Sequence, residues 1–233
     1  MKKAKHLIIG AGEVGRALYN VLKTHYRVLL CDKNNDKNGT FGVLHIAYPP
    51  QKDFIQATKR YIKIYKPKLV VIHSTIAVGT TRRIAPFAVH SPIRGVHPRL
   101  EKGIKTFVKY FGGPKAVEAS KYFSKIGIKT KTFPRAETTE FLKLLDTTYY
   151  GWNIVFVKEA KGICDKLGFD FNEVYTIPNQ DYNEGYRKLG MPHVARPVLR
   201  PMPGKIGGHC VIPNCDLLDD WLTRTIKQRN RKY

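Results

Sequence analysis

A short apolar run from Lys5 to Ile9 leads into Gly10-Ala11-Gly12-Glu13-Val14-Gly15, and an apolar periodicity through Val14, Leu18, Val21 and Leu22 follows at helical spacing. No other stretch restricts the fold as tightly, because the glycines are spaced G-x-G-x-x-G in the strand-to-helix context the pattern requires. Gly10 permits the tight turn, Gly12 lets the backbone approach a pyrophosphate, and Gly15 lets the helix lie close on the strand. The helix N-terminus, with Glu13 and Val14 in its first turn, faces the phosphates. A second strand-like run, Arg27 to Cys31, ends at Asp32, 22 residues after Gly10, where an acid takes the ribose hydroxyls and disfavours a 2′-phosphate. The expectation is a dinucleotide site that prefers NAD over NADP, with Lys33 next to the acid as a softening influence.

The rest of the first half alternates. Strands are expected at Val43–Ala47, Leu69–His73, Thr106–Phe111 and Lys129–Phe133, with an apolar stretch near Phe87–His90; helices are expected at Phe54–Tyr65, after Gly79, and at Ala116–Ile126. Such alternation predicts an α/β fold with a Rossmann-like, doubly wound parallel sheet closing near Pro134, so residues 1–134 are read as an NAD-binding domain. From Ala136 the pattern becomes one long helix reaching Leu167, with Gly151 inside it, about 48 Å at 1.5 Å per residue. That is longer than a small domain needs for its own core, and it predicts a homodimer organised on this helix. Residues 135–233 are read as a smaller, all-helical dimerisation domain, with Asp181–His193 as a loop between helices and Leu217–Arg229 as the last helix. Glu140, Lys143 and Thr147 share one helix face, with the lysine available to an active site; the alternative is a surface ion pair between Glu140 and Lys143.

Four segments, in order, resemble the UDP-glucose/GDP-mannose 6-dehydrogenase family: the N-terminal glycine motif; Ser74-Thr75-Ile76-Ala77-Val78-Gly79-Thr80-Thr81; the helix pair Glu140-x-x-Lys143; and Pro203-Gly204-Lys205-Ile206-Gly207-Gly208-His209-Cys210. The resemblance implies an NAD-dependent enzyme that oxidises the primary alcohol of a nucleotide sugar in two hydride transfers. Cys210 would capture the intermediate aldehyde, Lys143 would stabilise the oxyanion, and Ser74 and Thr75 would join the cofactor site. A thiolate holds a reactive aldehyde between oxidations, which is the physical use of a cysteine here. The sequence departs from the family at three places. Thr147 stands where the family has Asn, Asn214 where it has Asp, and Ile93-Arg94 follow Ser91-Pro92 where it has Glu. No carboxylate remains at those positions to activate water, and loss of general-base help costs ~10²–10⁴ in rate. The family also continues into a third, nucleotide-binding domain, whereas this sequence stops one helix after the cysteine segment.

Lysine and arginine outnumber acids 41 to 18, a formal net charge of +23, which favours anionic partners without choosing among them. The charge is spread along the chain, and the dense cluster Arg224–Lys232 reads as a frayed basic tail. Two alternatives to the enzyme follow: a non-catalytic NAD-binding or regulatory subunit, suggested by the three departures, and a polyanion- or nucleic-acid-binding protein, which rests on charge alone. Arg94, His97 and Arg99 form a basic loop suited to a substrate phosphate or carboxylate. No apolar run reaches the ~18–20 residues of a membrane span, and Met1-Lys2-Lys3 is followed by too short an apolar stretch for a signal peptide. The four cysteines, Cys31, Cys164, Cys210 and Cys215, are therefore expected as reduced thiols in a cytoplasmic protein; no metal is expected from His209 and Cys215, which lack further spaced ligands.

Overall fold

The computed structural model describes residues 5–32, 39–208 and 210–233. Lys33, His209 and the start Met1-Lys2-Lys3 lie outside the described residues. Contacts gather the chain into two compact units, Met1–Leu144 and Leu145–Tyr233.

The first unit is built on a sheet of seven strands, β1 (Lys5–Ile9), β2 (Arg27–Cys31), β3 (Val43–Ile46), β4 (Leu69–Ile72), β5 (Val89–His90), β6 (Lys109–Gly112) and β7 (Thr130–Phe133), ordered β2-β1-β3-β4-β5-β6-β7. All pairs are parallel except β5 with β6, which meet antiparallel at His90 and Gly112, so the expected parallel, doubly wound sheet carries one antiparallel seam. Helices α1 (Glu13–Leu22), α2 (Phe54–Tyr65), α3 (Thr80–Ile84), α4 (Leu100–Thr106) and α5 (Ala116–Ser124) complete the doubly wound pattern. Strand alternation divides the core into two faces. Ile8, Val43 and Val71 pack with Leu18, Leu100 and Phe123 on one side, while Leu7, Ile9, Leu44 and Ile72 pack with Phe54, Tyr61 and Ile84 on the other. The strand expected at Thr106–Phe111 is shifted: Leu100–Thr106 is helical, burying Leu100, Gly103 and Ile104, and the strand begins only at Lys109.

α6 (Ala136–Leu167) is the expected long helix; its first turns belong to the first unit and the remainder to the second. The second unit continues with a π-helical turn (Asn172–Thr176), α7 (Ile177–Lys188), α8 (Val211–Cys215) and α9 (Trp221–Asn230). The loop expected at Asp181–His193 is helical as far as Lys188. Its tyrosines and glycine suggest a coil, yet Pro178 fits the first turn and the Tyr182 and Tyr186 rings meet one turn apart, tilted at 44° with centroids 4.6 Å apart. The basic tail is not frayed: Asp220 and Thr223 form a capping box, Ile226 is fully buried, and Arg224, Lys227 and Arg229 pair with Asp219, Asp216 and Glu159. Gly151 has a packing reason, since a Cβ there would lie 2.7 Å from Val211 Cγ1 and 3.1 Å from Ile226 Cδ1. No helix among the described residues is long and apolar enough to cross a membrane.

Candidate active site

The strand order reverses at β1, and in open parallel sheets ligands bind beyond the strand C-termini at such a reversal. Gly10 occupies that position at φ +108°, and a Cβ there would lie 2.7 Å from the Ala47 carbonyl carbon. At Gly15 a Cβ would come within 1.7 Å of the Gly10 carbonyl oxygen, so both glycines are demanded by packing. Gly12 differs: nothing lies within 4 Å of the position its Cβ would take, and as the residue preceding α1 it offers no side-chain cap to the free N–H groups of Glu13, Val14 and Gly15. Asp32 brings its carboxylate to this turn, accepting from Ala11 N at 3.4 Å. An open glycine, an uncapped helix N-terminus and an acid beside them suit the pyrophosphate and ribose of a dinucleotide.

The neighbouring turn after β4 is tightly tied. The buried Ser74 hydroxyl donates to Tyr48 O at 2.6 Å, while Thr75 is half-buried beside it. Glu140 is fully buried and accepts from Gly79 N (2.6 Å) and Thr81 N (2.7 Å), so it holds the start of α3. The surface ion pair considered for Glu140 and Lys143 is excluded for the glutamate by this burial, and two of the four segments that carry the resemblance prove to be hydrogen-bonded to each other. Lys143, one turn along α6, is half-buried.

The basic loop is less free than its sequence suggests. His97 Nδ1 meets Glu13 Oε2 at 2.6 Å, Arg94 lies over the Phe107 and Tyr110 rings, and Arg99 immediately precedes α4. Ile93, where the resemblance calls for glutamate, is a core side chain packed with Leu100 and Ile104.

A buried polar row crosses the sheet, and no local sequence signal marks it. His6 Nδ1 lies 2.9 Å from His45 Nε2, His45 Nδ1 lies 2.9 Å from His73 Nε2, and His73 Nδ1 lies 2.8 Å from Ser91 O. A carbonyl only accepts, so His73 carries its hydrogen on Nδ1 and accepts at Nε2. The same polarity then passes through His45 to His6. It ends at His6 Nε2, a buried acceptor with no partner. Burial holds all three imidazoles neutral, His6 down to about 4 and His45 and His73 well below the ordinary range. His90, also lowered by burial, to about 3, contacts Ser74 O through Nε2 and Thr139 through Nδ1. At the other end Lys109 donates to Ser91 O (3.2 Å) and Pro92 O (3.4 Å) and faces the N–H of His73 at 3.5 Å. Burial beside Phe111 and Phe123 pushes its amine down to about 7.

In the second unit Cys210 precedes α8 and is half-buried, whereas Cys164 and Cys215, like Cys31 in the first unit, are buried; none of the four forms a disulfide. Burial pushes the Cys215 thiol up. Asn214, one turn after Cys210, donates from Nδ2 to Thr147 Oγ1 at 3.2 Å, and both side chains are buried. Two positions where the sequence departs from the resemblance are thus partners of one another.

Residues 137–220 match the UDP-glucose/GDP-mannose dehydrogenase family, central domain. Over this segment the chain is similar to that family. The matched segment contains Lys143, Thr147, Cys210 and Asn214. A UDP-N-acetyl-D-mannosamine dehydrogenase of Methanococcus vannielii is 28% identical over 174 residues, 71% of this chain and 36% of that protein. An NDP-N-acetyl-D-galactosaminuronic acid dehydrogenase of Ralstonia nicotianae is 24% identical over 188 residues, 70% of this chain and 41% of that one. The chain therefore spans well under half the length of these curated relatives. Among solved structures, the UDP-D-ManNAc dehydrogenase from Pyrococcus horikoshii superposes with a TM-score of 0.80 at 18% identity, covering 98% of this chain and 68% of that one. Mycobacterium tuberculosis 3-hydroxyisobutyrate dehydrogenase reaches 0.70 at 14% identity, covering 99% and 93%. At these identities the superpositions establish the Rossmann-like fold.

Proposed function

We propose that this protein is an NAD-dependent oxidoreductase that oxidises the primary alcohol of a nucleotide sugar, with Cys210 as the thiol nucleophile. The observation that carries the cofactor reading is the open Gly12 at the uncapped start of α1 with the Asp32 carboxylate beside Ala11 N. Gly10, Gly12, Glu13, Val14 and Gly15 would hold the pyrophosphate, Asp32 the ribose hydroxyls, and Ser74 and Thr75 the adjoining edge. Two NAD molecules bound there in turn would each accept one hydride, for the oxidation of alcohol to aldehyde and of thiol-held aldehyde to thioester, with one proton released at each oxidation. The substrate class is that of the nucleotide-sugar dehydrogenases the chain resembles.

Within this scheme the Cys210 sulfur adds to the aldehyde carbon, and the thiol proton passes to the former carbonyl oxygen, giving a thiohemiacetal that cannot diffuse away. The Lys143 ammonium stabilises the developing oxyanion. Water then cleaves the thioester, releasing the acid and returning a proton to sulfur. Asn214 and Thr147, tied to each other, orient groups at this centre without acting as bases, so hydrolysis is the slow step of the proposed sequence. The exposed apolar side chains Leu145, Tyr149, Phe156, Ile163 and Leu167 recur along α6 and support a homodimer formed on this helix. Reduced thiols fit action in the cytoplasm.

Calorimetric titration with NAD and NADP tests the cofactor reading, with micromolar NAD binding and much weaker NADP binding expected. NADH formation is then followed with UDP-N-acetylmannosamine and other nucleotide sugars. Cys210→Ser should abolish acid formation while leaving NAD binding intact. Acid formation unchanged by that substitution would remove the thiol from the mechanism, and binding of neither dinucleotide would remove the cofactor. The Thr147–Asn214 pair favours one other reading, a non-catalytic NAD-binding subunit, which predicts NAD binding with no turnover of any sugar nucleotide.

A further inference from the structure

From Ala195 to Gly208 the chain has no helix or strand, yet this stretch carries the backbone into Cys210. Ordering irregular backbone costs roughly 1–2 kcal/mol per residue, so a thiol at its end stays in place only if side chains from regular elements grip the main chain. Two grips come just before the thiol. Lys158, on α6 and only 8% exposed, donates to Met202 O and to Gly204 O (2.6 Å), and its Nζ lies 4.6 Å from the centre of the Tyr233 ring. Asn230, on α9 and also buried, accepts from Ile206 N through Oδ1 at 2.5 Å. Together they seize alternate residues 202, 204 and 206. The next grip lies beyond the thiol, where Asn214 meets Thr147. The positive φ of Gly204 (+72°) and Gly208 (+78°) provides the turns the held backbone needs.

Burying a lysine on a helix costs desolvation that an exposed one avoids. Its two acceptors are both carbonyls of the segment leading to the cysteine. We infer that Lys158, assisted by Asn230, is a positioning residue that fixes the main chain presenting the Cys210 sulfur. The inference rests on the proposed thiol role of Cys210, and its test separates the two.

The variants are Lys158→Met, Lys158→Arg and Asn230→Ala in the full chain. One readout is the rate of Cys210 alkylation by iodoacetamide across pH; the other three cysteines are buried and report separately if the fold opens. The second readout is kcat and KM for NAD with UDP-N-acetylmannosamine as the probe substrate. Lys158→Met should lower kcat about tenfold or more, because small misplacements of a reacting group are costly. KM for NAD should stay within about twofold, and alkylation of Cys210 should quicken about threefold or more as the segment loosens. Lys158→Arg, which also donates to two carbonyls, should restore most of both. Asn230→Ala should move both readouts the same way to a smaller extent, and it keeps the test alive if Lys158→Met does not fold. Unchanged kcat and alkylation in the folded variants would overturn the positioning role. If the wild-type protein shows no turnover, the reaction reading fails while the alkylation arm still decides the grip, with faster labelling supporting it and equal labelling refuting it.

Discussion

Lys109 in the sheet unit and Lys158 in the helical unit are both buried, but they are buried for opposite reasons. Lys109 begins β6, where strand alternation turns its side chain into the core between Phe111 and Phe123, and the partners it finds there are two carbonyls and the N–H of His73. That set suits an uncharged amine, whose lone pair faces the imidazole hydrogen. Lys158 lies on a helix with solvent within reach and is instead drawn under an irregular segment whose carbonyls it holds. The first lysine is tolerated by the fold, and the second organises it. The same side chain therefore has opposite expected effects on removal.

The largest effect should come from Lys109→Met. Its folded value of about 7 lies below the ordinary 10.5, so between these values the unfolded chain binds a proton that the folded protein has released. Stability thus rises with pH from about 7 to 10.5 and is flat below 7. At ~1.4 kcal/mol per unit, the penalty at neutral pH is on the order of 4–5 kcal/mol. Methionine removes that penalty and leaves Pro92 O without its donor, a loss of about 1–3 kcal/mol. Urea denaturation should show the variant more stable than wild type at pH 7, and its slope between pH 7 and 10 should vanish. A variant less stable than wild type at neutral pH would mean that Lys109 is charged and well paired, and the contrast with Lys158 would collapse.

The histidine row tests the same unit from the acid side. His6 is held at about 4, against an ordinary 6.5, so stability is complete above 6.5 and is lost as pH falls toward 4, by about 3 kcal/mol from this group alone. His6→Phe keeps a ring in the stack with Tyr26 but leaves His45 Nε2 without its donor. The variant should be about 1 kcal/mol weaker at neutral pH and stronger than wild type near pH 4, so the two stability curves should cross. Curves that run parallel would show that folding leaves His6 at its ordinary 6.5.

In the helical unit the effect on stability should be of opposite sign to that of Lys109. Lys158→Met deprives Met202 O and Gly204 O of their donor and should destabilise the protein by roughly 1–3 kcal/mol in urea denaturation at pH 7. A gain in stability would place Lys158 in the same class as Lys109.

These contrasts also show what was legible in the sequence. The glycine turn, Asp32, the alternation of the first half and the long helix were readable because each depends on neighbours a few residues apart. The four segments of the resemblance were readable for the same reason. The histidine row was not, since His6, His45 and His73 lie far apart in sequence and only the β1–β3–β4 register brings their rings to one face. Lys109 shares the face of Phe111 wherever the strand begins, but only the folded sheet shows Phe123 closing over that face. Lys158 is indistinguishable from a solvated helix lysine until the segment after Ala195 folds over it. The helix over Ile177–Lys188 was hidden by a composition typical of turns, which the contact of its tyrosine rings and its first-turn proline outweigh.

The smallest expected effect concerns Gly151, where local and tertiary preferences oppose each other. Replacing glycine by alanine inside an exposed helix gains about 1 kcal/mol from propensity alone. Here the added methyl would lie 2.7 Å from Val211 Cγ1, on the helix that follows Cys210, and 3.1 Å from Ile226 Cδ1. Ile226 is fully buried, and Val211 is branched at Cβ, so neither withdraws freely; overpacking of this kind costs typically ~1–3 kcal/mol. Gly151→Ala should therefore lower stability by about 1 kcal/mol net, and the strain should pass to α8 and quicken alkylation of Cys210. If the variant were instead stabilised, α8 would have room to shift, and the second unit would hold its cysteine by the grips of Lys158 and Asn230 rather than by packing against α6.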